Sequence, residues 1–126
     1  MLVIRDEQLR LLEREMEHGF RFRLLELVAG EWARLHHQAN DTVRDELVDR
    51  SLRDARAHGF LLERDIATFV LIAARHGEQC FRRNDFPFHV ILADSGVSAS
   101  VRALQMQFES ERLLREQTDE ILPSSV

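Results

Sequence analysis

At 126 residues, with 44% hydrophobic and 31% charged residues and only five Gly and two Pro, the chain has the size and composition of one globular domain rather than a disordered segment. Its net charge is −5, and all 17 cationic residues are arginines interleaved with acids, so it lacks the concentrated basic footprint of a nucleic-acid binder. Cys80 is the only cysteine, which excludes an intramolecular disulfide and any paired-cysteine zinc or redox motif. The N-terminal MLVIRDEQ turns charged after four residues, too early for a secretory signal. No stretch approaches the roughly 20 apolar residues of a membrane span, and cytoplasmic residence is the expectation.

From Asp6 to about His37 there is no proline. Leu9, Leu12, Met16, Phe20, Leu24, Leu27, Val28 and Leu35 recur at helical spacing, predicting one long helix with possible bends at Gly19 or Gly30. Acids placed four residues before bases, Asp6/Arg10 and Glu17/Arg21, suit its wet side. A second apolar stripe, Leu11, His18, Phe22, Leu25, Ala29 and Trp32, lies opposite the first and needs its own cover.

Thr42 and Asp45 resemble a capping box, with Asp in place of the usual Glu, opening a second helix from about Val43 to His58. Val43, Leu47, Leu52 and Ala55 form its expected buried side; Glu46/Arg50 and Asp49/Arg53 repeat the acid-before-base pairing. Gly59 stands where a left-handed C-cap is required, with Phe60 placed to pack back.

Ile66 to Ala74, IATFVLIAA, has one polar side chain, Thr68, with acids before it and Arg75 and His76 behind. A helix apolar on nearly every side must be wrapped by others, so this segment is the expected centre of the domain. Gly77 either ends that helix or is absorbed into an extension carrying Cys80 and Phe81. Phe86-Pro87 starts a short helix to Ala93 that inserts Phe88, Ile91 and Leu92 into the core. Ser98 or Ser100 caps a last helix ending near Ile121. On it Val101, Leu104 and Phe108 share the face expected to be buried, and Met106 and Leu113 lie roughly opposite. Residues 122–126 read as a frayed tail.

The motifs IRDEQL near the start, HGF, LLERDIATFV, HG, CF and FPFHVILAD, in that order from Ala57 to about Leu92 after the first, resemble a family of small bacterial helical proteins found near genes for contractile secretion spikes and their toxin cargo. The resemblance implies an all-helical fold and an adaptor, chaperone or accessory role. It carries over no catalytic residue, and the chain departs from the pattern at Leu62, where a hydroxyl cap is usual, and at Phe88, where Trp is common.

No constellation points to chemistry more strongly than to structure. His76 and Cys80, with His89 as a third, have the spacing of zinc ligands only if the helix runs through Gly77. His36-His37 reads as a helix end, and adjacent histidines diverge by about 100°. Glu63, Arg64 and Asp65 read as first-turn charges rather than an acid/base site. A helix-turn-helix at 43–74 fails because its second helix is IATFVLIAA, with no basic side chains for base edges.

The expected protein is therefore an all-α, single-domain, five-helix molecule, residues 1–126, with a long first helix packed around Ile66–Ala74. It is expected to be no enzyme, to bind no cofactor, metal or nucleic acid, and to act by binding a secreted effector. An immunity protein or antitoxin against a basic toxin is the alternative, and a small enzyme or metal protein is the alternative of another class. The partner-binding residues are expected to be Leu11, Phe22, Leu25 and Trp32, against a second copy or a helical cargo, unless the last helix folds back and covers them.

Overall fold

The computed structural model describes the backbone of residues 6–38 and 40–121, and side chains within 14–117 apart from 15 and 39. Among the described residues there is no strand. Five α-helices and one 3-10 turn follow in order: α1 (Asp6–Arg34), α2 (Asp41–Ala57), α3 (Glu63–His76), the turn Glu78–Phe81, α4 (Phe88–Ala93) and α5 (Ala99–Ile121). The fold is all-α with a single hydrophobic core to which every helix contributes.

The core centres on α3. Ile66, Phe69, Val70, Ile72, Ala73 and Ala74 are all buried, with α1 and α2 packed on one side and α5 on another. Phe69 is the hinge of an aromatic cluster. Its ring stacks on Phe81 at 4.1 Å between centroids and meets Phe60 at 5.8 Å. Offset and tilted ring pairs of this kind add stabilisation beyond the area they bury.

Helix ends follow local chemistry. Asn40, rather than Thr42, caps α2; its carboxamide oxygen accepts from the Thr42 and Val43 amides at 2.9 and 3.2 Å. That corrects the capping-box reading, since Asn satisfies two orphan donors from a position two residues earlier. At the other end of α2, Gly59 adopts φ 88°, its amide donating to Arg56 O and the Phe60 amide to Ala55 O. This is a Schellman closure, and it drops Phe60 into the core as expected. The same bond pattern closes α1: His36 donates to Ala33 O and His37 to Trp32 O, with His36 at φ 60°. Here a side chain occupies the left-handed position that glycine takes without steric cost.

Gly77, at φ 85°, ends α3 rather than lying within it. The 3-10 turn that follows at once still brings Cys80 and Phe81 onto the core, so both apolar side chains are used without a continuous helix. Ser98 caps α5, its hydroxyl accepting from the Val101 amide at 3.3 Å.

Three facing assignments differ from expectation. Met16 and Leu27 of α1 and Val43 of α2 are exposed, whereas Phe20, Leu24, Val28 and Trp32 form the buried side of α1, which packs on α2 and α3. On α5 the buried side is Ala103, Met106 and Ser110, while Val101, Leu104 and Phe108 face outward. Small residues at the contact let the α5 backbone approach α3 closely, so the large apolar side chains are left on the far side. Two expected ion pairs are also replaced by bonds between helices: Glu17 bonds Arg56, and Arg21 and Asp49 form a two-bond pair at 2.7 and 3.1 Å. Antiparallel neighbours bring these partners closer to ideal geometry than the next helical turn does. Leu9, Leu11, Leu12 and the Asp6/Arg10 pair have side chains outside the described residues, as does the whole 122–126 tail.

Candidate interaction surfaces and the polar cluster at the end of the central helix

The C-terminal end of α3 holds the densest polar arrangement among the described residues. Arg75 is nearly buried and bonds Glu31 of α1 at 2.8 Å, Glu111 of α5 at 2.9 Å and the Ser110 hydroxyl at 3.3 Å. Arg34 closes on the other side of Glu31. Burial alone would raise the Glu31 carboxyl; the hydrogen bonds from Arg34 and Arg75 outweigh it and hold the pKa below the ordinary value. The cluster thus ties α1, α3 and α5 together at one level.

His76 sits beside it. Its Nε2 is 2.8 Å from the Ser110 hydroxyl, and its ring packs near Phe86 and Phe88 at 5.8 and 5.6 Å. Burial, reinforced by the adjacent Arg75 charge and opposed by Glu31, pushes the imidazole pKa down to about 4. Arg75 can only donate to Ser110, so the serine proton is free for the neutral His76 nitrogen. A neutral histidine against a serine is the pairing that activates a nucleophile. Ser110 is fully enclosed, however, and a substrate could not reach it. The pair is structural.

Stability therefore depends on pH in a defined window. Between pH 6.5 and about 4 the unfolded chain protonates His76 and the folded chain does not, so stability falls as pH drops and is constant above the unfolded value. A shift of that size amounts to about 3 kcal/mol, which solvent screening of the part-exposed ring reduces to about 1–2 kcal/mol. Urea titrations at pH 7, 6 and 5 are expected to show this slope, and His76→Gln is expected to flatten it. An unchanged slope in that variant refutes the assignment.

The candidate zinc-like set does not assemble. His76 and Cys80 lie on separate elements across Gly77, Cys80 is buried with its thiol pushed up to about 12 by burial, and His89 turns its Nδ1 to Phe86 O at 3.0 Å. Among the described residues no three His, Cys, Asp or Glu side chains gather into a metal-sized group. Glu63, Arg64 and Asp65 do not converge on one site: Glu63 pairs with Arg23 at 2.8 Å, the exposed Arg64 lies 3.7 Å from Asp65, and the buried Asp65 accepts from the Ser100 hydroxyl at 2.7 Å.

The residues expected to bind a partner separate. Trp32 is 7% exposed and donates its indole N–H to Ala74 O at 3.0 Å, so it anchors α1 to the end of α3 and is corrected from surface anchor to core. Leu25 packs against the core, while Phe22 is 60% exposed on the outer side of α1. Leu11 lies in α1 with its side chain outside the described residues. Among the described residues α5 makes no extensive contact with α1, and Phe22 stays exposed.

Sequence reasoning missed Arg102. Its guanidinium donates to Leu92 O at 3.1 Å and His58 O at 3.3 Å and stacks 5.3 Å from the centre of the Phe60 ring. One cation thereby caps the carbonyl ends of both α4 and α2. Its position between Val101 and Ala103 carries no local sign of that role.

Among the described residues two open apolar surfaces stand out. The first is a cleft of about 470 Å³ between α1 and the turn joining α2 to α3, lined by Met16, Phe20, Phe60, Leu61 and Ile66, with Glu17, Arg56 and Glu63 at its edge. Leu61, on the turn, is 82% exposed. The second is the outer side of α5, where Leu104 and Phe108 are 67% and 64% exposed and form, with Ile91 of α4, a shallow groove. No described helix is long and apolar enough to cross a membrane. No family model, curated protein or solved structure matches the chain.

Proposed function

We propose that the protein is a helical protein-interaction module, of adaptor, chaperone or accessory type, which binds a protein partner through the cleft between α1 and the α2–α3 turn. The observation that carries this is Leu61, an apolar side chain held out on a turn beside a cleft whose floor is apolar. The Glu17–Arg56 and Arg23–Glu63 ion pairs give that cleft a charged margin. An apolar centre with a polar rim is the usual anatomy of a protein-binding site. The family resemblance makes a secreted effector the partner class. The net charge of −5 favours a second form of the same reading, in which the partner is a basic toxin and the protein its antitoxin.

The test begins with a photo-crosslinking amino acid at position 61 in native cells, followed by purification of the captured protein and titration against the free module. Leu61→Asp and Met16→Asp are expected to weaken that titrated binding by at least about tenfold while leaving helical circular dichroism unchanged. Loss of the captured protein's toxicity on binding selects the antitoxin form. Variants that bind like the unmodified protein sink the proposal.

A further inference from the structure

The outer side of α5 is apolar where a solvent-facing helix is ordinarily charged. Val101, Leu104 and Phe108 recur at three and four residues, directly opposite the Ala103, Met106 and Ser110 side that packs on α3. The ridge they form runs beside a groove lined by Ile91, Leu104, Gln105, Phe108 and Glu109. On its other side, a second groove next to Val101 and Leu104 includes Arg64 and Thr68 of α3. We infer that this face binds a second copy of the same chain, α5 against α5 in antiparallel register about a two-fold axis near Leu104, each ridge seated in the other copy's Ile91–Phe108 groove.

Three observations select this occupant. The face is self-complementary, because the apolar ridge of Val101, Leu104 and Phe108 lies alongside a groove of mostly apolar lining, which is what a two-fold interface requires of one surface. The charges distinguish the two directions. The exposed Arg64 guanidinium lies beside Val101 at one end, 3.7 Å from Asp65; beyond Phe108 at the other lies Glu111, which bonds Arg75 through one oxygen at 2.9 Å and remains half-exposed. Antiparallel copies set Arg64 against Glu111 of the other copy, and parallel copies would set Arg64 against Arg64. Antiparallel helix dipoles add to the same preference.

The area is also appropriate. Val101, Leu104 and Phe108 with the half-buried Ile91 present roughly 350 Å² of apolar surface. A small interface buries roughly 600–800 Å² per partner, a little over half of it apolar. That size fits a reversible dimer rather than an obligate one. The face is distinct from the Leu61 cleft, so the dimer and the proposed partner site stand or fall separately.

Sedimentation equilibrium of the full chain, from micromolar to hundreds of micromolar, is the test. The expected result is a concentration-dependent rise from 14.7 kDa to twice that mass. Leu104→Asp and Phe108→Asp, both at exposed positions, are expected to remain monomeric with unchanged helicity. Arg64→Glu is expected to weaken dimerisation several-fold and to reduce its sensitivity to salt. Gln105→Cys is expected to form an intermolecular disulfide on mild oxidation, while Cys80 stays enclosed. An unmodified protein that is monomeric throughout overturns the inference, as do α5 variants that still dimerise.

Discussion

Phe69→Ala is expected to destabilise the protein by about 3–5 kcal/mol, a large share of the roughly 5–15 kcal/mol that holds a domain of this size. The side chain is almost fully enclosed, and its ring lies flat on Phe81 and tilted against Phe60 and the His58 imidazole. Its removal opens a cavity where α2's end, α3 and the 3-10 turn meet, and the backbone around Gly77 cannot collapse into it without moving Cys80 and Phe88 as well. Ile72→Asp, one helical turn on and equally buried, would place an unpaired carboxylate in the same core and is expected to leave no folded protein at room temperature. Denaturant midpoints measured by circular dichroism decide the matter. A Phe69→Ala loss under 1 kcal/mol would contradict the central role of α3.

The second large effect is electrostatic. Glu31→Ala is expected to cost about 3 kcal/mol, within the range for breaking a buried pair by deleting one partner, because Arg75 is left nearly buried with only Ser110 and Glu111 to satisfy it. The double change Glu31→Met with Arg75→Met is expected to recover most of that loss, since apolar replacements of buried pairs are commonly neutral or favourable. A double-mutant cycle read by urea denaturation separates the coupling from the desolvation. If Glu31→Ala proves neutral, Trp32 and the apolar contacts alone hold the end of α1 to α3.

What could be read from residues alone was whatever depends on neighbours in the chain. Ile66–Ala74 is apolar on nearly every side, Thr68 excepted, and no arrangement of the remaining elements could leave such a helix outside. Gly59 and Phe60 specify a Schellman closure because the required bonds span only six residues. Pro87 starts α4 for an equally local reason, its fixed φ. The number and order of helices followed from these signals.

Which side of each helix faces inward was decided by tertiary structure. α1 and α5 each carry two apolar stripes, and periodicity ranks them by side-chain size. The packed molecule instead rewards close approach: Ala103 and Ser110 let α5 lie against α3, so Val101, Leu104 and Phe108 end outside, while Trp32 turns in because Ala74 O needs a donor. The ion pairs obey the same rule. Glu17 with Arg56, Arg21 with Asp49 and Glu31 with Arg75 join residues 28 to 44 positions apart, and Arg102 reaches two helix ends 10 and 44 positions away. Such partners become neighbours only after the helices dock, because a side chain's reach of a few ångströms carries no information about which distant turn of helix will arrive beside it.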